Sequence, residues 1–265
     1  MYGHFTLALK YLRYLITAAN GKGHGVHSPF VFEFITRVLN DNRRFYAFDG
    51  IEKIRTQLLS NHTLIEIQDF GAGSRVAKNN SRKISDVAKS SLKPAKYSQL
   101  LFRMIDYYGP KQIIELGTSL GITTAYLASP NPAANVTTFE GSETIAQIAK
   151  QNHGSLGLAN ISLRQGNFDE ELPRWLAQNK KVDFAFIDGN HAYKPTMAYF
   201  EALLDVVEDH TILVFDDIHW SKEMEGAWAQ ISAHSRVTLS IDLFFIGIVF
   251  FRKEFAQKQQ VSIRF

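Results

Sequence analysis

Gln112-Ile-Ile-Glu-Leu-Gly-Thr-Ser-Leu-Gly-Ile-Thr-Thr-Ala-Tyr-Leu-Ala128 is the stretch on which the reading of this chain turns. Ile113 to Leu116 has the length and apolarity of a buried strand, Gly117 to Gly121 makes a turn, and Ile122, Ala125, Tyr126 and Leu127 recur at helical spacing. Strand, glycine turn and helix in this order make a ligand site. Gly117 and Gly121 remove side chains where a ligand must approach the backbone, and Thr118 and Ser119 offer hydroxyls beside the free N–H groups of the helix start. Glu115, a carboxylate near the end of an apolar strand, is harder to explain as packing.

The constellation Glu-Leu-Gly-Thr-Ser-x-Gly resembles the nucleotide-binding turn of class I S-adenosylmethionine-dependent methyltransferases. The resemblance implies S-adenosyl-L-methionine as cofactor, with Glu115, Gly117, Thr118, Ser119 and Gly121 around it. A nicotinamide enzyme would show Gly-x-Gly-x-x-Gly, and the first of those glycines is replaced here by Glu115. The sulfonium donor has no pyrophosphate and is cationic, so a carboxylate in the turn suits it.

Composition sets bounds. The 265 residues are 45% hydrophobic, enough for a sizeable core, and there is no cysteine, which excludes disulfides and thiolate metal sites and is compatible with a cytoplasmic location. Lys10 and Arg13 interrupt the apolar residues that would form a signal-peptide core, and the longest apolar run, Leu243 to Phe251, is too short to span a bilayer. Residues 1–110 carry 16 Lys/Arg against 8 Asp/Glu, whereas residues 111–265 carry 13 against 18. The basic part could meet an anionic substrate, a lipid headgroup or nucleic acid, although a solvated basic face explains it more simply.

Taken in order, residues 4–19 suggest an amphipathic helix with Phe5, Leu9, Leu12, Leu15 and Ile16 along a face packed against the core. A glycine-rich loop with His24 and His27 follows, leading to Ser28 as N-cap and Pro29 as first helical residue. Ile65 to Arg75 also joins a strand, an acid and two glycines, but no apolar stripe follows, so the turn at Gly117 is preferred. Gly71 to Lys96 then reads as a polar, basic segment able to cover the active site as a lid.

From Gln112 strands and helices alternate, with strands expected at 112–117, 135–140, 161–165, 182–188 and 211–216 and a hairpin over 237–251. The expected fold is α/β, a Rossmann-like, seven-stranded, mostly parallel sheet with helices on both faces. Residues 1–96 are expected as an N-terminal, mainly helical extension for substrate recognition and lid, and residues 97–265 as the methyltransferase domain. Right-handed crossovers put the chemistry at the carboxyl ends of the strands. There, Glu140 with Gly141 ends the second strand, where a carboxylate commonly takes two ribose hydroxyls, and Asn167 and Phe168 could meet the adenine edge and face or simply be a polar loop residue and a core phenylalanine.

The fourth strand ends in Asp188-Gly-Asn-His-Ala-Tyr193 and the fifth in Asp216-Asp-Ile-His-Trp220. Three carboxylates at the tips of neighbouring strands repel unless a cation or a proton lies between them, and hard oxygen ligands suit magnesium or calcium. Asp-Gly-x-His-x-Tyr and Asp-Asp-x-x-Trp are similar to a branch of class I O-methyltransferases related to the metal-dependent catechol and caffeoyl-coenzyme A enzymes. That resemblance implies that Asp188, Asp216 and Asp217 hold a divalent metal, Mg2+ or another cation, with Asp217 standing where the family has asparagine. It also implies that His191, where better-known members carry lysine, is the general base, with Asp188 as its catalytic partner and a contact of the cofactor. His219 is a second candidate base.

The expected function is therefore S-adenosylmethionine-dependent O-methylation of a small-molecule hydroxyl. The alternatives are an N-methyltransferase acting on peptide or RNA and a nicotinamide-dependent oxidoreductase. The Asn/Asp-Pro-Pro-Tyr tetrapeptide of nucleic-acid amino methyltransferases is absent, so nucleic acid is not the expected partner. Phe30, Phe32, Phe45, Tyr46 and Phe48 could line an acceptor pocket or simply form core. Peripheral membrane contact by the basic N-terminal region and a homodimer remain open.

Overall fold

The computed structural model describes residues 1–67, 81–255 and 257–265. In chain order the elements are α1 (His4–Thr17), α2 (Pro29–Phe34) running on into a π-helical turn (Ile35–Leu39), α3 (Tyr46–Ser60), β1 (Leu64–Glu66), β2 (Ser81–Lys83), α4 (Ile84–Ser91) and α5 (Ala95–Tyr108). There follow β3 (Gln112–Leu116), α6 (Ile122–Ala128), β4 (Asn135–Glu140), α7 (Glu143–Ser155), β5 (Ile161–Gln165), α8 (Phe168–Gln178), β6 (Val182–Ile187) and α9 (Tyr193–Leu204). The chain closes with β7 (Val207–Asp216), α10 (Lys222–Ala233), β8 (Leu239–Asp242), β9 (Ile246–Phe250) and β10 (Gln259–Ser262).

These elements form two compact units, residues 1–41 with 175–265 and residues 42–174. The region expected as an N-terminal extension, residues 1–96, is thus shared between them. The main sheet has eight strands and is mostly parallel. In the second unit β3, β4 and β5 are parallel neighbours in that order. In the first unit the order is β10-β8-β9-β7-β6, with β6 parallel to β7, β9 antiparallel to β7 and β8, and β10 parallel to β8.

The seven strands read from the sequence are all present, and an eighth joins them. β10 is the short polar string Gln-Gln-Val-Ser, which carries no apolar alternation and sits at an edge, where one face of hydrogen bonds suffices. The central strands are legible for the opposite reason: every residue of β6 is buried, as are the last six of β7. Helix ends follow local chemistry. Ser142 and Ser221 cap α7 and α10 by accepting hydrogen bonds from the Ile145 and Met224 N–H groups, and α5 stops at Gly109 in the left-handed conformation.

β1 and β2 form a separate two-stranded antiparallel sheet. The strand of the competing turn therefore lies outside the main sheet, while its glycines, Gly71 and Gly73, lie outside the described residues. Of the expected lid, residues 81–96 are folded into β2, α4 and the start of α5, and Ile84, Val87 and Ala88 of α4 join a core with Phe48, Ile51, Phe102 and Tyr126. Residues 71–80 lie outside the described part.

One amphipathic assignment is reversed at every expected core position but Leu15. α1 packs through Leu7, Tyr11, Tyr14 and Leu15 against Phe244 and Phe245, while Phe5, Leu9, Leu12 and Ile16 face solvent. Both faces of this helix are apolar, so spacing alone could not say which one meets the core. Among the described residues no helix is long and apolar enough to cross a membrane.

Candidate active site

In the second unit the turn after β3 is held by hydrogen bonds on every side. The N–H groups of Gly117 and Thr118 donate to the Phe139 carbonyl of the neighbouring strand at 3.1 and 3.0 Å, and the Gly121 N–H closes the turn on the Thr118 carbonyl at 2.9 Å. Gly117, Ser119 and Gly121 all have positive φ, 106°, 47° and 80°, so the path is one that glycine takes without strain and serine tolerates only when its surroundings hold it. At Gly121 space is the second reason for glycine, because a Cβ there would overlap the His153 imidazole.

Glu115 lies beneath this turn, fully buried. Its Oε2 accepts from the Thr124 hydroxyl at 2.5 Å and from the Thr138 hydroxyl at 2.6 Å. Thr118 and Thr138 hydroxyls are 2.5 Å apart, and since the Thr138 proton goes to Glu115, Thr118 is the donor in that pair. The carboxylate expected to face the cofactor thus anchors a relay of hydroxyls running from the sheet to the turn.

Glu140, at the tip of β4, uses both oxygens on backbone: Oε2 accepts from the Ser119 N–H and Oε1 from the Ser142 N–H, each at 2.9 Å. Its own carbonyl accepts from the Gly166 N–H at 2.9 Å, which ties the loop of Asn167 and Phe168 to the same strand end. A carboxylate oxygen has a second lone-pair direction, so these bonds orient Glu140 without exhausting it. Asn167 and Phe168 are half-buried, and Asn167 Oδ1 accepts from the Asp169 N–H at 3.0 Å at the start of α8. Gly141 is half-buried beside Glu140.

Sequence reading missed the supports behind this turn. Asn152 donates through Nδ2 to the Leu120 carbonyl at 2.9 Å, and His153 meets the Gly121 carbonyl through Nε2 at 3.0 Å. A carbonyl only accepts, so Nε2 carries the proton. Burial pushes the His153 pKa down to about 4 against the opposing pull of that carbonyl, and the ring is neutral at physiological pH. Ser91 of α4 adds a hydroxyl contact to Ser119 at 2.7 Å. Ser91 is exposed and Asn152 half-buried, ordinary for polar helix residues, and His153 takes a core position, so none of them carries a signal of a ligand turn.

In the first unit β6 and β7 are parallel neighbours paired up to Ile187 and Phe215, so the residues just beyond them emerge together. Asp188, His191 and Asp216 each bring one ligand atom within 4.8 Å of the others. His191 Nε2 lies 3.4 Å from Asp188 Oδ1. Asn190 and Asp217 take left-handed backbone, φ 57° and 53°, with the Asn190 amide donating to the Tyr199 hydroxyl and the Asp217 N–H donating to the Phe245 carbonyl. Strain of this kind collects where side chains must be aimed.

Burial alone would lower the pKa of His191, but Asp188, hydrogen-bonded and charged, outweighs it with help from Asp216 and Asp217, and the pKa rises to about 9. Two carboxylates and an imidazole at this spacing fit a divalent cation that accepts oxygen and nitrogen donors, and Asp217 adds negative charge beside them. His219 belongs elsewhere: its Nδ1 meets Glu225 at 3.1 Å and its Nε2 meets Asp242 at 2.8 Å, so both nitrogens are committed and the second candidate base is a structural bridge.

The aromatic residues offered for an acceptor pocket are mostly core. Phe30 packs on Phe250 and Phe255 in the first unit, and Phe45 and Phe48 pack on Phe102 in the second; Phe32 and Tyr46 are exposed. His24 and His27 are exposed on their loop. A depression of about 380 Å³ in the second unit, reached past Tyr46, Ile51, Leu156 and Asn160, has no acid, lysine, arginine or histidine in its lining and offers no chemistry of this kind.

Residues 114–218 match a family model described as a methyltransferase domain. Among solved structures, an O-methyltransferase from Bacillus cereus in complex with SAH aligns with a TM-score of 0.56 at 18% identity, over 80% of this chain and 93% of that one. The O-methyltransferase TomG from Streptomyces achromogenes, involved in tomaymycin synthesis and solved with SAM, aligns at 0.52 and 18%, over 61% and 82%. The SAH-bound methyltransferase PaMTH1 from Podospora anserina aligns at 0.58 and 13%, over 85% and 97%. This chain shares their fold. No curated protein matches the sequence.

Proposed function

We propose that this chain, which carries a methyltransferase domain over residues 114–218, is an S-adenosylmethionine-dependent O-methyltransferase of a small-molecule hydroxyl. The observation that carries the reading is the cluster of Asp188, His191 and Asp216 at the tips of adjacent strands inside that domain. An acceptor hydroxyl must lose its proton as its oxygen attacks, and with a cation bound this cluster would take that proton and hold the oxyanion that results.

Bound S-adenosylmethionine would supply an electrophilic methyl group on sulfur. The turn of Gly117 to Gly121 is the part of the chain suited to receive it, with Thr118 and Ser119 held by hydrogen bonds to the neighbouring strand and Glu140 assigned to a ribose diol. Glu115 acts from behind, keeping the hydroxyl relay aligned. Asn167 and Phe168 are assigned to the adenine edge and face.

With the Nε2–H of His191 turned to Asp188, Nδ1 holds the lone pair that takes the acceptor's hydroxyl proton, and Asp188 steadies the imidazolium that forms. A pKa near 9 keeps this ring protonated at neutral pH, so the resting site needs added positive charge before it can act as a base. Asp188, Asp216 and Asp217 would hold a divalent cation here, which would lower that pKa and stabilise the acceptor oxyanion. Recognition of the acceptor is assigned to residues within 1–96.

The test is transfer of labelled methyl to a panel of phenols and catechols by the full chain, with and without chelation, beside a thermal-shift comparison of S-adenosylhomocysteine with NAD. Stabilisation by S-adenosylhomocysteine alone and chelator-sensitive labelling of a phenol are expected. Stabilisation by NAD instead, or labelling only of amines, would overturn the reading.

A further inference from the structure

The stripe of α1 that faces away from the core is itself apolar. Phe5, Leu9, Leu12 and Ile16 are 77%, 52%, 54% and 74% exposed, and at 100° per residue they fall within an arc of roughly 60°. Their combined apolar surface is on the order of 500 Å², at the upper end of the largest patch on an ordinary monomer. The helix cannot turn the stripe inward, because its opposite face is already fastened: Tyr11 meets Phe244 edge-on and Tyr14 packs on it at a tilt, Tyr14 donates to the Ile263 carbonyl, and Lys10 and Tyr2 both bind Glu225.

The charge around the stripe has one sign. No Asp or Glu precedes Glu33 in the sequence. Arg13 is exposed on the flank of the stripe, and Lys22, His24 and His27 are exposed on the loop that follows the helix. Exposed Arg264 joins them, since its N–H donates to the Ala19 carbonyl at the same end of α1. The acids nearest by contact are spent, Glu225 on Lys10 and Tyr2 and Asp242 on His219.

We propose that α1 docks this protein on an anionic membrane surface, with the Phe5–Leu9–Leu12–Ile16 stripe in the boundary between headgroups and acyl chains and Arg13 and Lys22 against lipid phosphates. The 4-3-4 spacing of the stripe also describes the seam of a helix pair, and a second copy is the rival occupant. Two features count against it. The seam spans two heptads where sustained coiled coils need three or four, and a second copy would bring another basic flank with no acid to answer Arg13. A lipid surface needs neither a longer seam nor a matching acid.

The test is flotation of the full chain with phosphatidylcholine vesicles, with and without phosphatidylglycerol, alongside sedimentation equilibrium. Binding to the anionic vesicles at least tenfold above the neutral ones, weakened by salt, is expected. The double variant L9E/L12E should lose it with an unchanged melting temperature, because both positions are exposed, and R13E/K22E should lose the preference for anionic lipid while keeping the stripe. A blue shift of tryptophan fluorescence in Phe5→Trp on adding anionic vesicles would place the stripe in lipid. The proposal falls if no vesicle is bound, if L9E/L12E binds like the parent, or if the parent is a dimer that L9E/L12E dissolves while vesicles leave both untouched. None of these outcomes depends on methyl transfer, so failure here leaves the catalytic assignment standing.

Discussion

The glycine turn of the second unit and the acidic cluster of the first are both groups of polar side chains at strand ends, yet they are stabilised in opposite ways. Around the turn the polar groups are tied to neighbours: Glu115 Oε2 to two threonines, Glu140 to two backbone N–H groups, and the Leu120 and Gly121 carbonyls to Asn152 and His153. The cluster instead gathers Asp188, Asp216 and Asp217 around one imidazole and drives its pKa to about 9. A hydrogen-bonded network is rigid and, with His153 neutral, carries no change of charge near neutral pH, which suits a group that must hold a ligand in one pose. Crowded like charges keep a site responsive to a cation or a proton, which suits a group that must handle charge during a reaction.

The contrast predicts effects of different size and kind. Asp188→Asn should cost about 100-fold or more in turnover, since it removes both the partner of His191 and a candidate cation ligand, while the melting temperature changes little, because relieved repulsion with Asp216 and Asp217 offsets the lost attraction to His191. Turnover and differential scanning calorimetry on the same sample check this, and parallel losses of both would dissolve the distinction between the two groups.

Next comes pH. If neutral His191 is the base, turnover of chelated protein should climb about tenfold per unit up to pH 9, and a divalent cation should move the rise to lower pH. Stability follows with its own sign. The folded pKa lies above the unfolded value near 6.5, so the His191 contribution is full below that value and is lost as pH rises through about 9. Urea unfolding of the parent and of His191→Asn at the two ends of this window measures it.

His153 should behave in the reverse sense. With a folded pKa near 4, it leaves the unfolded chain to take up the proton first, so stability drops as pH falls from about 6.5 towards 4. His153→Leu should weaken S-adenosylhomocysteine binding about tenfold by freeing the Gly121 carbonyl, and His153→Gln, which can still donate, should restore most of it. Equal losses in the two variants would show that ring volume, and not the hydrogen bond, supports the turn. The smallest expected effect is Thr124→Val, about 1–3 kcal/mol of stability from removing one donor to buried Glu115, read by urea unfolding with donor affinity little changed.

Much of this was legible beforehand because the relevant forces are local. Buried parallel strands write themselves as apolar runs, and the acids and glycines at their ends break the pattern at the positions where ligand chemistry belongs. The pairing of Asp188 with Asp216 followed from strand adjacency, which right-handed crossovers restrict to few choices. Partners were not legible. Glu115 could be placed at the turn, but whether it faced ligand or two threonines depended on Thr124 and Thr138, which arrive from a helix and the adjoining strand. His219 and His191 looked alike until Asp242 and Glu225 claimed both nitrogens of the first.

By itself, then, the sequence determined the order of strands and helices, the glycine turn and the roster of acids and histidines, because periodicity and backbone preference act over a few residues. The tertiary structure alone decided which of those groups are satisfied, which crowd together, and which face of α1 was left to solvent. Hydrogen bonds, charge repulsion and burial are settled between residues far apart in the chain, and only the folded backbone brings them within reach.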